Sequence, residues 1–151
     1  MNENKLKHSI AVARKMVEIA KEYNLSDEEL SNCFLIGYLH DVGYELAPDG
    51  RNHNKVGGEW LKKNGFKFWK EVYYHGEVNP NYQSIYLDIL NMADMQIDGL
   101  GNDVGYEGRL EDIKTRYQEY PQIYQNCCKI VSDLKQKDNL RTKREVSRWK
   151  R

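Results

Sequence analysis

The sequence predicts an all-α protein, and three observations lead to that fold class. Apolar residues recur at three- and four-residue steps in several segments, which is the spacing of a helix that buries one face. The segments between them are rich in Gly, Asn and Pro, which is typical of turns, and very little of the chain has the pattern of a strand. A length of 151 residues with 40% hydrophobic and 30% charged residues indicates one compact domain.

Two helices are predicted before residue 40. The first spans Lys5 to Tyr23 and places five apolar residues on one face: Leu6, Ile10, Ala13, Val17 and Ala20. In the next segment Ser26 and Glu29 have the spacing of a capping box, in which each side chain binds the backbone N–H of the other residue. This box predicts a second helix, which continues through Leu39.

Turn residues separate the second helix from the third. The segment Gly43–Asn52 contains two Gly, one Pro and an Asp-Gly pair, and we expect a turn there. Asn52 is the expected cap of a third helix over His53–Lys63, which ends at Gly65 because Gly tolerates the left-handed conformation. A short aromatic helix is predicted over Phe66–Tyr74.

Three more elements are predicted in the second half of the chain. The stretch Ser84–Met95 has an apolar stripe at helical spacing. The Gly-rich segment Gly99–Gly108 is expected to be a loop within one domain, and it leads to a helix over Arg109–Tyr117. A last helix begins around Pro121, a residue favoured in the first turn.

Composition argues against several classes of protein. The chain has no run of eighteen apolar residues and no basic-then-apolar leader, so we expect neither a membrane span nor a secretory signal, and we predict a cytoplasmic location. Three cysteines are an odd number and two of them are adjacent, which does not fit a disulfide framework or a CxxC metal site. We predict reduced thiols that pack in helices: Cys33, Cys127 and Cys128.

The net charge of zero has an uneven distribution along the chain. Residues 141–151 contain six basic side chains and one acidic one, which leaves 17 basic and 22 acidic residues in 1–140. We therefore divide the chain into a domain over 1–140 and a basic tail over 141–151. The acidic body makes a nucleic-acid partner unexpected. The tail is interpreted as a solvated helix end or a frayed terminus, and a partner for it stays open.

Histidines and two aspartates form the most informative pattern. The chain has four histidines: His8, His40, His53 and His75. A single histidine on a helix is usually a packing or surface residue, but His40 is followed by Asp41, and adjacent imidazole and carboxylate groups suit a borderline divalent metal ion. Asp94 lies in an otherwise apolar helix, where an uncompensated charge would cost several kcal/mol. A bound metal ion would remove that cost.

These residues resemble a known family. His8, the run LHDVGY at 39–44 and the run NMAD at 91–94 are similar to the H…HD…D signature of the HD-domain superfamily of metal-dependent phosphohydrolases. The runs HNKVGGEWL at 53–61 and YYHGE at 73–77 resemble the segments that provide a third and a fourth histidine in some branches. The resemblance spans most of the chain and implies an all-helical bundle.

The resemblance also implies a ligand set for one or two divalent transition metal ions. A first ion would be held by four residues: His8, His40, Asp41 and Asp94. A second would be held by His53 and His75, with Asp41 bridging the two ions and serving as the catalytic aspartate. Iron, manganese, cobalt, nickel and zinc are all compatible with such mixed ligands.

The sequence departs from the family after the aspartate. Many members continue with Ile-Gly-Lys, whereas this chain has Val42-Gly43-Tyr44, so a lysine near the phosphates is missing. Tyr44 is interpreted as a packing residue or as a hydrogen-bond donor to substrate. Arg109 and Lys55 are candidate substrate contacts, and Arg109 is equally expected to form an ion pair with a nearby carboxylate. Glu45 and Glu77 are candidates for a general acid or base.

The leading hypothesis is a metal-dependent phosphohydrolase that cleaves a phosphoester or phosphoanhydride bond of a nucleotide-like substrate with metal-activated water. Diadenosine tetraphosphate is the nearest named substrate in the branch that the chain resembles. A small phosphorylated molecule is thus the expected partner, and oligomerisation stays open. The alternatives are a catalytically silent fold that senses a nucleotide and, in third place, a di-iron oxygenase of the HD type.

Overall fold

The structure is a computed structural model that describes residues 2–47 and 49–149, with side chains as far as residue 140. Within these residues it contains eight helices: α1 (Glu3–Glu22), α2 (Asp27–Leu39), α3 (Gly43–Leu46), α4 (His53–Lys63), α5 (Trp69–Tyr74), α6 (Ile85–Asp94), α7 (Gly105–Arg116) and α8 (Pro121–Trp149). The same residues form no strand, only an isolated antiparallel bridge between Ile97 and Asp103. The predicted all-α class is confirmed.

The core lies between α1, α2 and α6; α8 packs against α6, and α7 packs against α8. Helix α6 is buried along most of its length, whereas α1 buries the face that contains Val12 and Met16. Helices α3, α4 and α5 form a separate layer, because α4 packs against both α3 and α5, and α5 contacts α2 and α6. The bundle therefore has a central group of helices and a smaller peripheral group.

Capping side chains set the beginnings of three helices. The Asn2 side chain accepts a hydrogen bond from the Lys5 backbone N–H at 2.8 Å, so α1 begins two residues earlier than predicted. Both hydrogen bonds of the capping box between Ser26 and Glu29 are present, which confirms that prediction. Ser84 caps α6 by accepting from the Leu87 N–H at 2.9 Å.

Several predicted boundaries were wrong. The expected turn over 43–52 contains the short helix α3, and Pro48 in the same segment lies outside the described residues. Asn52 precedes α4 with φ 54° in the left-handed region, and its side chain makes no capping hydrogen bond. The aromatic helix is shorter than expected and begins at Trp69. The Gly-rich loop is shorter too, because α7 begins at Gly105.

The backbone of α8 continues unbroken past the expected domain boundary at residue 140 and ends at Trp149. The side chains of the basic tail over 141–151 lie outside the described residues. None of the described helices is long and apolar enough to cross a membrane. The three cysteines are free thiols on helices, as predicted: Cys33 in α2, and Cys127 and Cys128 in α8.

Candidate metal centre

The bundle brings the six predicted ligand residues together. His8 lies on α1, His40 and Asp41 directly follow α2, His53 begins α4, His75 follows α5, and Asp94 ends α6. Five of the six thus lie at or beside a helix end, where five helices meet. Groups of three of these residues offer ligand atoms that all lie within 4.8 Å of one another. The resemblance implied that these residues would lie close together.

Two glycines place the peripheral helices against the centre. A Cβ atom on Gly43 would lie only 1.8 Å from the backbone oxygen of His53, and one on Gly57 would lie 2.9 Å from the backbone nitrogen of Gly43. The absence of side chains at these positions lets the start of α4 approach the turn after Asp41. As a result His53 faces Asp41, with 3.5 Å between Nε2 and Oδ1.

The carboxylate of Asp41 divides the centre into two halves. Its Oδ2 lies 3.6 Å from Nε2 of His8 and 3.3 Å from Nε2 of His40. Its Oδ1 lies 3.5 Å from Nε2 of His53 and 3.6 Å from Nε2 of His75. We call the first half, together with Asp94, subsite 1, and the second half subsite 2. One carboxylate therefore faces both subsites.

Asp94 completes subsite 1. Its Oδ1 lies 3.0 Å from Nε2 of His8 and 3.4 Å from Nε2 of His40. The side chains of His40 and Asp41 are buried and that of Asp94 is 15% exposed, so water does not compensate the two negative charges fully. Two carboxylates and two imidazoles within one buried pocket are a ligand set for a divalent transition metal ion.

Backbone carbonyls fix the orientation of three imidazoles. Nδ1 of His8 lies 2.8 Å from the backbone oxygen of Asp98. Nδ1 of His40 lies 2.6 Å from the backbone oxygen of Gly37, and Nδ1 of His75 lies 2.5 Å from that of Val72. A neutral histidine that donates through Nδ1 has its lone pair on Nε2, which is how metal-binding histidines are oriented. All three Nε2 atoms face the carboxylates.

One further observation indicates that these donor atoms fit a metal ion. Nε2 of His40 is buried and has no hydrogen-bond partner among the described atoms. With Nδ1 bonded to a carbonyl, this lone pair points at the oxygens of Asp41 and Asp94, which are themselves only acceptors. Such an arrangement of acceptors is favourable only with a cation between them, either a proton or a metal ion.

The pKa values agree with a centre that demands positive charge. Burial opposes ionisation of Asp41 and Asp94, but the neighbouring His40 holds the pKa of both carboxyls well below its usual range. Burial likewise opposes the charged form of His40, yet the two carboxylates raise its pKa well above the ordinary value. In subsite 2, burial and the nearby His75 lower the pKa of His53 to about 4.

The sequence model of the HD-domain family matches residues 6–132, which includes all six clustered residues. The chain belongs to the HD-domain family. No curated protein and no solved structure matches this chain. The HD assignment therefore rests on the family match together with the His and Asp cluster.

A cavity of about 980 Å³ opens beside the candidate metal centre of this HD domain. Its walls include five of the six ligand candidates, four basic side chains and three tyrosines; the ligand candidates are His8, Asp41, His53, His75 and Asp94. The basic ones are Lys5, Arg51, Arg109 and Arg116, and the tyrosines are Tyr44, Tyr117 and Tyr120. This volume accommodates a ligand of nucleotide size.

The two predicted substrate contacts have different surroundings. Arg109 lines the cavity, donates to the Asp94 carbonyl at 3.1 Å, and forms an ion pair with Asp112 at 2.8 Å. It thereby holds the last turn of α6. Lys55 pairs with Glu77 at 2.5 Å and lies over the Tyr73 ring, outside the residues that line the cavity.

Sequence reasoning missed two residues that hold the peripheral layer. The Asn54 amide donates to the backbone oxygens of Tyr73 and His75, at 3.1 and 3.3 Å, and so fixes the turn that positions His75. Lys5 places its ammonium 3.5 Å from the centroid of the Tyr44 ring. Tyr44 also stacks on His53, with ring centroids 4.1 Å apart, as the packing interpretation expected. Neither contact has a signature in a single sequence.

Proposed function

We propose that this HD-domain protein is a metal-dependent phosphohydrolase that acts on a small phosphorylated molecule, with a nucleotide-like compound as the expected substrate. The observation that supports it is the position of Asp41, whose two oxygens face two groups of imidazole nitrogens at 3.3–3.6 Å. When bound, one or two divalent ions would lower the pKa of a water molecule and neutralise charge on a phosphoryl group.

The protein side chains have separate tasks in this proposal. His8, His40, Asp41 and Asp94 would hold one ion, and His53 and His75 would join Asp41 in holding the other. The backbone carbonyls that accept from Nδ1 keep the imidazoles in the ligand tautomer. Arg109 fixes Asp94 and adds positive charge to the cavity wall.

The cavity supports a substrate larger than inorganic phosphate. Basic side chains in its wall favour an anionic group, since guanidinium and ammonium groups donate several hydrogen bonds to phosphate oxygens. Tyrosines and aliphatic side chains in the same wall, among them Tyr117, Ile113 and Ile123, favour an apolar or aromatic portion. A nucleotide combines both features. Lys55 is less suited to this contact, because its ammonium is engaged by Glu77.

The test is release of phosphate or nucleotide from a panel of nucleotides, with manganese or iron added to the purified protein. Replacement Asp41→Asn keeps the shape of the side chain and removes its charge, so we expect loss of both bound metal and turnover. Asp49→Asn is the matched control, because Asp49 lines the same cavity but lies outside the cluster. Full activity of Asp41→Asn would remove this mechanism.

A nucleotide sensor with an HD fold is the second outcome of the same experiment. Tight nucleotide binding by the wild-type protein without any hydrolysis in the presence of either metal would favour the sensor over the enzyme.

A further inference from the structure

Lys5 occupies an unusual position for a lysine. It lies in the first turn of α1, where a positive charge opposes the helix dipole, so helix stability does not account for it. The side chain is half-buried and lines the cavity beside the metal centre. Its ammonium lies over the Tyr44 ring, 3.5 Å from the centroid, which is a cation–π contact.

The Lys5 ammonium is available to a ligand. No carboxylate of the described side chains lies within 4.0 Å of it, although the cavity wall contains three aspartates. An ammonium group has three N–H donors, and contact with an aromatic face leaves at least one of them free for a ligand. Tyr44 thus positions Lys5, and the N–H groups of Lys5 can turn to a ligand in the cavity.

Two arginines of α7 add positive charge to the same cavity. Arg109 and Arg116 both line it, and both bind the carboxylate of Asp112, at 2.8 and 3.4 Å. The Asp112 carboxylate is therefore shared by the two guanidinium groups, and Nη2 of Arg109 also lies 3.8 Å from Oδ1 of Asp94. Burial lowers the pKa of Lys5, and the charges of Arg116 and Arg109 lower it further, against the opposing effect of Asp41 and Asp94.

Gly99 provides the space for Arg116. A Cβ atom at this position would lie 1.9 Å from Nη2 of Arg116 and 2.6 Å from its Cζ. The guanidinium therefore lies directly against the backbone of the loop after α6. The exposed fraction of the Arg116 side chain is 41%, so this group has access to ligand.

We propose that Lys5 and Arg116 form a subsite that binds a phosphate group of the substrate beside the metal centre. Lys5 on α1 and Arg116 on α7 line the same cavity, and ammonium and guanidinium donors both bind phosphate oxygens. Tyr44 is the positioning residue for Lys5, and Gly99 is the positioning residue for Arg116. The inference rests on the proposed function only for the identity of the molecule that provides the phosphate.

Isothermal titration of the full-length, metal-loaded protein with inorganic phosphate tests the subsite. Lys5→Met keeps the length of the side chain and removes its charge, and we expect phosphate affinity to fall about 10- to 100-fold, the effect of losing a hydrogen bond to a charged group. Lys7→Met is the matched control, because Lys7 lies on the same helix, is exposed and pairs with Glu3 at 3.3 Å. It should bind phosphate like the wild type.

Two further variants test the positioning residues. Tyr44→Leu removes the aromatic face that holds the Lys5 ammonium and should weaken phosphate binding. Gly99→Ala should displace the Arg116 guanidinium and weaken phosphate binding. The metal content of every variant is measured in parallel, and Lys5→Met should keep the wild-type content. Loss of metal in Lys5→Met would assign the effect to the metal centre and overturn the subsite.

The outcomes separate this inference from the proposed function. Equal phosphate affinity of Lys5→Met and Lys7→Met, or no phosphate binding by the wild type, overturns the subsite even if nucleotides are hydrolysed. A difference between the two lysine variants in a protein that hydrolyses no nucleotide supports the subsite and contradicts the proposed activity.

Discussion

The two halves of the metal centre differ in charge, exposure and support. Subsite 1 has two carboxylates, and its histidine side chains are at most 4% exposed. Subsite 2 has only the Asp41 carboxylate, and the side chain of His53 is 26% exposed. The residues of subsite 1 come from α1, α6 and the end of α2, which form the core, whereas His53 and His75 belong to the peripheral layer.

This difference predicts unequal affinity for metal. An ion in subsite 1 would meet two negative charges on side chains that core packing holds in place, and an ion in subsite 2 would meet one. Metal affinity depends on ligand charge and on how rigidly the ligands are held. We therefore expect subsite 1 to fill first and subsite 2 to empty first when a chelator is added.

The largest effect is expected from removing the second carboxylate of subsite 1. Asp94→Asn should eliminate turnover and lower the metal content of the protein, because subsite 1 is then left with the Asp41 carboxylate alone, as subsite 2 is. His53→Gln should lower the metal content by about one equivalent in a binuclear centre, through subsite 2 alone. Elemental analysis after gel filtration measures both variants.

The comparison would fail if the metal contents were reversed. Retention of all metal by Asp94→Asn, together with complete loss in His53→Gln, would show that the peripheral layer holds the tighter site.

A smaller effect is expected from disturbing the approach of α4 to the centre. Gly43→Ala places a Cβ atom 1.8 Å from the His53 oxygen, and backbone atoms must shift to accommodate it. We expect the free energy of unfolding to fall by about 1–3 kcal/mol, the usual cost of overpacking. We also expect metal affinity to fall more in subsite 2 than in subsite 1. Chemical denaturation and metal titration measure these effects.

Gly105→Ala is the control for that variant. Gly105 has φ 69° but no atom within 4 Å of the added Cβ, so only the conformational cost applies. This variant should keep metal affinity in both subsites. Loss of metal from Gly105→Ala to the same extent as from Gly43→Ala would contradict the role of the α4 approach.

The smallest effect concerns the pH dependence of the metal-free protein. The folded-state pKa of His40 is raised by Asp41 and Asp94, so its contribution to stability is complete below the unfolded pKa and is lost as pH rises through the folded value. His53, with its pKa lowered to about 4, contributes a constant amount above pH ~6.5. The Tm of chelator-treated protein should therefore fall between pH 7 and 9.

His40→Gln removes the titrating group and should flatten this pH dependence. Each kcal/mol corresponds to about 2–4 °C in a protein of this size, so thermal denaturation resolves the slope. A Tm of metal-free wild type that rises from pH 7 to 9 would contradict the assigned charge state of His40.

The sequence predicted the fold class correctly from local patterns, and the family resemblance named the six residues that the structure brings together. Helical spacing and the Ser26–Glu29 box determine where helices form, and the histidines and Asp94 are unusual enough to stand out. Helix α3 and the start of α7 at Gly105 were missed because Gly is a poor helix former and both helices begin at Gly residues. Tertiary contacts overrode that preference.

Contacts between segments that are distant in the chain could not be predicted from the sequence. Lys5 lies over Tyr44, and Gly43 approaches His53, only because α1 and α4 are packed beside the turn after Asp41. The pairing of Lys55 with Glu77 likewise depends on the contact between α4 and the end of α5. Packing of this kind is set by the whole core and has no periodicity along the chain.

Metal counting in the wild-type protein tests the central claim, that Asp41 is shared by two metal subsites, most directly. The protein is purified without chelator, reconstituted with manganese or iron, and analysed for metal per chain. About two ions per chain in the wild type, and none in Asp41→Asn, is the predicted result. About one ion per chain would restrict the centre to subsite 1 and leave His53 and His75 as substrate contacts, and no bound ion would contradict the metal centre altogether.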